Sequence, residues 1–94
     1  MEFKNLTDAC MELLNNGKLA DVFIEDGYIE VKSIDTNEND YIQSSEQLKE
    51  QLCKTLYIDI DKINIEDCGG RNSYHFWRLW IQTELKQIKP LIIL

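Results

Sequence analysis

Proline and glycine are scarce in this chain, one and four of its 94 residues, while 44% of it is hydrophobic and 10% aromatic. That composition excludes an intrinsically disordered or low-complexity protein. No apolar run approaches the roughly 18 residues of a membrane span. The start, Met1-Glu2-Phe3-Lys4-Asn5, has neither the basic cluster nor the apolar stretch of a signal peptide. A cytosolic protein is the expectation. Cysteine is limited to Cys10, Cys53 and Cys68, an odd number that builds no paired disulfide framework and fits the reduced form. With the single His75 these thiols offer no C-x-x-C or H-x-x-x-H spacing, so neither structural zinc nor any other cofactor is expected. Walker and G-x-G-x-x-G loops are missing as well, and Gly69-Gly70 reads as a turn.

Positive charge is also in short supply. Ten Lys and Arg stand against 17 Asp and Glu, a net charge of -7. Residues 1–70 hold 16 acids and 6 bases, whereas residues 71–94 hold only Glu84 against Arg71, Arg78, Lys86 and Lys89. Such a field repels nucleic-acid phosphates and draws in basic surfaces, with on-rates raised about 10- to 1,000-fold at low salt. A length of 94 residues implies one compact domain over 1–94, burying roughly 60–70% of its unfolded surface.

Among the elements, Thr7 caps a first helix through about Asn16, closed by Asn15-Asn16-Gly17, with Leu6, Ala9, Cys10, Leu13 and Leu14 on one face. A hairpin follows, roughly 20–25 and 28–34, in which Val22, Ile24, Ile29 and Val31 flank an Asp26-Gly27 turn. Residues 35–43 read as an exposed acidic loop, because Asp35-Thr36-Asn37-Glu38-Asn39-Asp40 cannot enter a core. Ser44 or Ser45 caps a second helix through about Leu56, burying Leu48, Leu52, Cys53 and Leu56. Cys10 and Cys53 both fall in apolar stripes and read as core, whereas Cys68 falls in a turn.

Beyond that helix, Tyr57 to Glu66 alternates as a strand kinked near Asp61, and Cys68 to Ser73 is a turn. Tyr74 to Leu85 fits a helix or a strand. Its aromatic and β-branched residues, and the turn before it, favour the strand, with Trp77, Leu79, Ile81 and Leu85 on one side. Phe76 and Trp80 then share the polar side with Arg78 as an aromatic pair. Pro90 to Leu94 is apolar enough to dock as an edge strand. The fold class is α+β, two helices on one face of a small, mostly antiparallel sheet. Two αββ units are suggested, since Ile24-Glu25-Asp26-Gly27 and Ile65-Glu66-Asp67-Cys68-Gly69 occupy matching turn positions and Cys10 and Cys53 matching helices.

The most distinctive stretch, Ala20 to Ser33, sets Asp21 on one strand and Glu30-x-Lys32 on the next. Alternate residues of a strand face one side, so the carboxylates can share a divalent ion while the lysine orients or deprotonates water. This segment resembles the PD-(D/E)xK nucleases, with Gln47 or Gln51 where some members carry a glutamine. The resemblance implies a magnesium-dependent nuclease with Asp21, Glu30 and Lys32 as its site. It covers about 30 residues and departs from the pattern: no proline precedes Asp21, no strand is evident between the first helix and Asp21, and the chain is short for that fold. Glu-x-Lys recurs at Glu2 to Lys4 and at Glu84 to Lys86. Asp59-x-Asp61 reads as a solvated strand edge and His75 as a satisfied or surface histidine.

The reading that fits charge and composition together is a small acidic interaction module that inhibits or regulates a larger basic, nucleic-acid-binding partner. Glu38, Asp40, Asp59 and Asp61 are its candidate acidic contacts, and Phe76, Arg78 and Trp80 its candidate anchor. In size and charge it is similar to acidic inhibitors from phages and mobile elements, such as antirestriction and anti-CRISPR proteins, and it is expected to occupy the place of nucleic acid on its partner. On this reading the protein is no enzyme, and neither direct nucleic-acid binding nor membrane association is expected. The metal-dependent nuclease is the alternative.

Overall fold

Residues 2–55 and 62–81 are described by a computed structural model, with side-chain detail from Asn5 onward in the first segment. The first helix, α1, spans Glu2–Asn15. It begins earlier than a Thr7 cap allows, and Leu6 lies within it, fully buried. Its other end closes as expected. Gly17 adopts φ +77°, Lys18 N–H donates to Leu13 O at 2.9 Å and Gly17 N–H to Leu14 O at 3.1 Å, the paired bonds of a Schellman cap. The second helix, α2, spans Ser45–Thr55. Ser44 is its cap: the Oγ accepts the Gln47 N–H at 3.2 Å, and Gln47 reaches back to the Gln43 N–H at 2.6 Å.

Four strands form one antiparallel sheet: β1 Leu19–Ile24, β2 Ile29–Ser33, β3 Ile63–Arg71 and β4 Tyr74–Ile81, in the order β1-β2-β4-β3. The first hairpin falls where Asp26-Gly27 predicts it, with Gly27 at φ +88°. Tyr74–Ile81 is a strand, with Trp77 and Leu79 buried on one side. The expected turn at Cys68 to Ser73 is corrected. The β3 strand runs through it to Arg71, and only Asn72 and Ser73 turn the chain, both at positive φ. Two central residues at positive φ match the strand twist of a two-residue hairpin. Gly69, at φ +83°, serves a β-bulge between Asp67 and Gly69 instead. The expected strand at Tyr57 to Asp61, Leu56, Leu85 and the tail Pro90 to Leu94 lie outside the described residues.

Both helices pack on the sheet face that carries Ile29, Val31, Trp77, Leu79 and Ile63, joined in one cluster by Leu6, Leu13, Leu48 and Leu52. The architecture is α+β. Ile42 is 4% exposed and belongs to this core, a correction to the reading of 35–43 as exposed throughout. Among its polar residues, Asn37 to Asp40 are exposed. Cys10 is buried, Cys53 half-buried and Cys68 exposed, on β3 and not in a turn. Element order repeats as αββ twice, and the second strands of the two units, β2 and β4, pair at the centre of the sheet. The proposed turn equivalence fails, since Asp67 to Gly69 is a bulge inside β3.

Candidate interaction face

The sheet face turned away from the helices is covered by no described helix or strand. Register fixes what it presents. Phe23, Glu30, Arg78 and Glu66 line up across all four strands, and Asp21, Lys32 and Phe76 form the next row. Along β4, Phe76, Arg78 and Trp80 alternate with buried Trp77 and Leu79, so the three expected anchor residues share this face on a central strand. Arg78 Nε donates to Glu30 Oε1 at 3.1 Å, and its guanidinium lies 5.2 Å from the Tyr28 ring centre. Arg71 lies 4.7 Å from the Phe76 ring and Lys32 Nζ 4.0 Å from the Tyr74 ring. Each of the three cations therefore sits on an aromatic face, the arrangement favoured by the ring quadrupole.

This geometry bears directly on Asp21, Glu30 and Lys32. The hairpin does bring all three to one face, Asp21 opposite Lys32 and Glu30 one row away. Each of them has a contact of its own within the sheet. Glu30 binds Arg78, Lys32 lies on Tyr74, and Asp21 Oδ1 accepts the N–H of its neighbour Val22 at 2.9 Å. Among the described residues, no group of three His, Cys, Asp or Glu side chains is placed to hold a metal ion.

Of the acidic candidates, Glu38 is exposed in the loop after β2 and Asp40 lies 3.7 Å from Lys18 Nζ. Asp59 and Asp61 lie outside the described residues. Acid also gathers at the rim of the face, at Glu25 and Asp26 in the first turn. A polar groove of about 310 Å³ beside α2, lined in part by Lys18, Asp40, Glu50 and Lys54, carries charge of both signs.

The sequence reading missed a pair on the helix side. His75 Nε2–H donates to Asp67 Oδ1 at 2.6 Å, and the imidazole stacks on Trp77 with centroids 4.4 Å apart. The Gly69 N–H, at 2.8 Å, and then His75 hold the Asp67 carboxyl below its ordinary range. Placing Asn72-Ser73 as the turn and Gly69 as the bulge would have revealed the pair. Buried Ser33 ties β2 to β4 nearby: its Oγ donates to Ile34 O and accepts the His75 backbone N–H, both at 2.8 Å. His75 is thus a satisfied histidine.

With that geometry fixed, comparison with protein-family models, curated proteins and solved structures finds no match. No helix among the described residues is long and apolar enough to cross a membrane.

Proposed function

We propose that this protein is a small acidic interaction module that docks through the open sheet face onto a larger, basic, nucleic-acid-binding partner and thereby inhibits or regulates it. One observation carries the reading. Phe76, Arg78 and Trp80 stand in line on a central strand, on a face that no described element covers. Aromatic residues and arginine at the centre of a polar rim are the usual energetic anchors of protein interfaces. The net charge of -7 supplies the choice of partner, because it steers basic surfaces inward and repels nucleic acid. A target that normally holds nucleic acid presents such a surface, which supports the inhibitor of mobile-element type. The nuclease alternative gains little support from Glu30 and Lys32, which contact Arg78 and Tyr74.

Affinity capture followed by titration of the recovered partner tests this. Wild-type protein should capture a basic partner, and Phe76→Ala and Trp80→Ala should each weaken its binding by about 2 kcal/mol or more. Capture unchanged in both variants removes the sheet face from the interaction. Magnesium-dependent cleavage of nucleic acid that disappears in Asp21→Asn, Glu30→Gln and Lys32→Ala would replace the module with the nuclease.

A further inference from the structure

The β1 strand is an edge of the sheet, with β2 on one side and no described strand on the other. Its ladder phase follows from one bond. Glu25 N–H donates to Tyr28 O at 2.9 Å, which makes Glu25 and Tyr28 a hydrogen-bonded pair. Bonded and non-bonded pairs alternate along an antiparallel ladder, so Phe23 opposite Glu30 is bonded, whereas Val22 opposite Val31 and Ile24 opposite Ile29 are not. The N–H and C=O groups of Val22 and Ile24 therefore point away from β2. The Asp21 side chain agrees, since it takes the Val22 N–H at 2.9 Å.

Two of the most exposed large apolar residues sit side by side on this edge, Phe23 at 39% and Ile24 at 51%. Consecutive strand residues face opposite sides of a sheet. A partner lying on either face covers only one of them, but a strand added along the edge covers both. Charge selects the added strand. A second copy pairing antiparallel about Phe23 would set Asp21 against Glu25 of the other copy twice, and like charges opposite each other are unfavourable. A strand of alternating basic and apolar residues reverses this. Its basic side chains meet Asp21, Phe23 and Glu25 on the outer face while its apolar ones meet Val22 and Ile24 on the other.

We propose that the β1 edge takes up an extended segment of alternating basic and apolar residues as a fifth strand. Asp21 is the latch. Its carboxylate covers the Val22 N–H while the edge is empty, the kind of local cover that guards edges against stray pairing. An incoming lysine or arginine draws the carboxylate aside and releases that donor to the new strand. Acidic and neutral segments leave the latch closed. Backbone bonds supply the binding and alternate side chains the selectivity, as in other cases of strand addition. The inference rests on the basic partner proposed above and names how a segment of it binds.

The test titrates the isotope-labelled protein with a synthetic peptide of alternating lysine and valine, followed by amide shifts, with a glutamate-valine peptide as control. The lysine-valine peptide should shift Val22 and Ile24 amides and slow their exchange, and the control should do neither. Ile24→Pro removes only an outward donor, which an edge strand tolerates, and should abolish binding. Ile24→Lys, which stays compatible with the fold at an exposed position, should weaken it at least tenfold. Failure of the peptide to bind, or equal binding by Ile24→Lys, overturns the fifth strand. Shifts confined to Phe76, Arg78 and Trp80 overturn it too, yet leave the sheet-face reading standing, whereas loss of partner capture with intact peptide binding would do the reverse.

Discussion

The two tryptophans separate core from surface within four residues. Trp77 is fully buried, with an indole Nε1 that has no hydrogen-bond partner among the described residues, while Trp80 is half-buried on the open face. Trp77→Ala should lower stability by about 3–5 kcal/mol, as truncation of buried aromatics does. Trp80→Ala should lower it much less in denaturant unfolding; a loss equal to that of Trp77→Ala would make Trp80 core and end its role as an anchor. Cysteines divide in the same way. Burial pushes the Cys10 thiol up to about 12, so a thiol reagent should reach Cys10 only through unfolding and label Cys68 in the native state. Cys68 should itself react more slowly than an open thiol, because burial and then Glu66 raise its pKa. The sign of the Cys10 effect is fixed. Its stabilising contribution is complete below the unfolded thiol value, near 9, and is lost as pH rises from there toward about 12. Alternation made the burial of Trp77 legible in the sequence. The Asp67 to His75 pair was not legible, because it depends on a one-residue bulge that periodicity does not register.

Caps and turns explain which elements were readable. Ser44 with Gln47 and Asn16 with Gly17 are local chemistry, and both helix boundaries follow from them. The second hairpin was misread because Cys68-Gly69-Gly70 has turn composition, yet Gly69 can also hold positive φ inside a strand. Its true turn carries a non-glycine residue at φ +69°, Ser73. Left-handed backbone costs an ordinary residue about 1–2 kcal/mol. Ser73→Gly, which creates the favoured Asn-Gly turn, should therefore raise stability by about 0.5–1 kcal/mol after the extra entropy of the unfolded glycine is deducted. Thermal unfolding of the variant measures it. A lowered midpoint would mean that the Ser73 side chain holds the turn by a contact worth more than the strain.

At the scale of the whole molecule, the open face carries both signs of charge and further acid lies in the exposed turn and loop beyond it. Three cations, Lys32, Arg71 and Arg78, share that face with Asp21, Glu30 and Glu66, leaving it locally balanced, while Glu25, Asp26, Glu38 and Asp40 crowd the first turn and the loop after β2. The two populations should act on different steps of binding. Exposed acids attract over about a Debye length, 8–10 Å at physiological salt, so they govern the approach of a basic partner. The aromatic and arginine centre is desolvated only in the complex, so it governs how long the complex lasts. Reversing Glu38 and Asp40 to lysine should slow association several-fold and flatten its salt dependence, with dissociation nearly unchanged. Asp40 carries an added consequence, since it pairs with Lys18 at 3.7 Å; that exposed pair is worth at most about 1 kcal/mol, so the fold survives the change. Trp80→Ala should leave association alone and speed dissociation at least tenfold. Stopped-flow kinetics at low and physiological salt resolve the two rates. A rate of association indifferent to salt would remove steering by the exposed acids, and a Trp80→Ala effect on association alone would remove the division of labour between those acids and the aromatic centre.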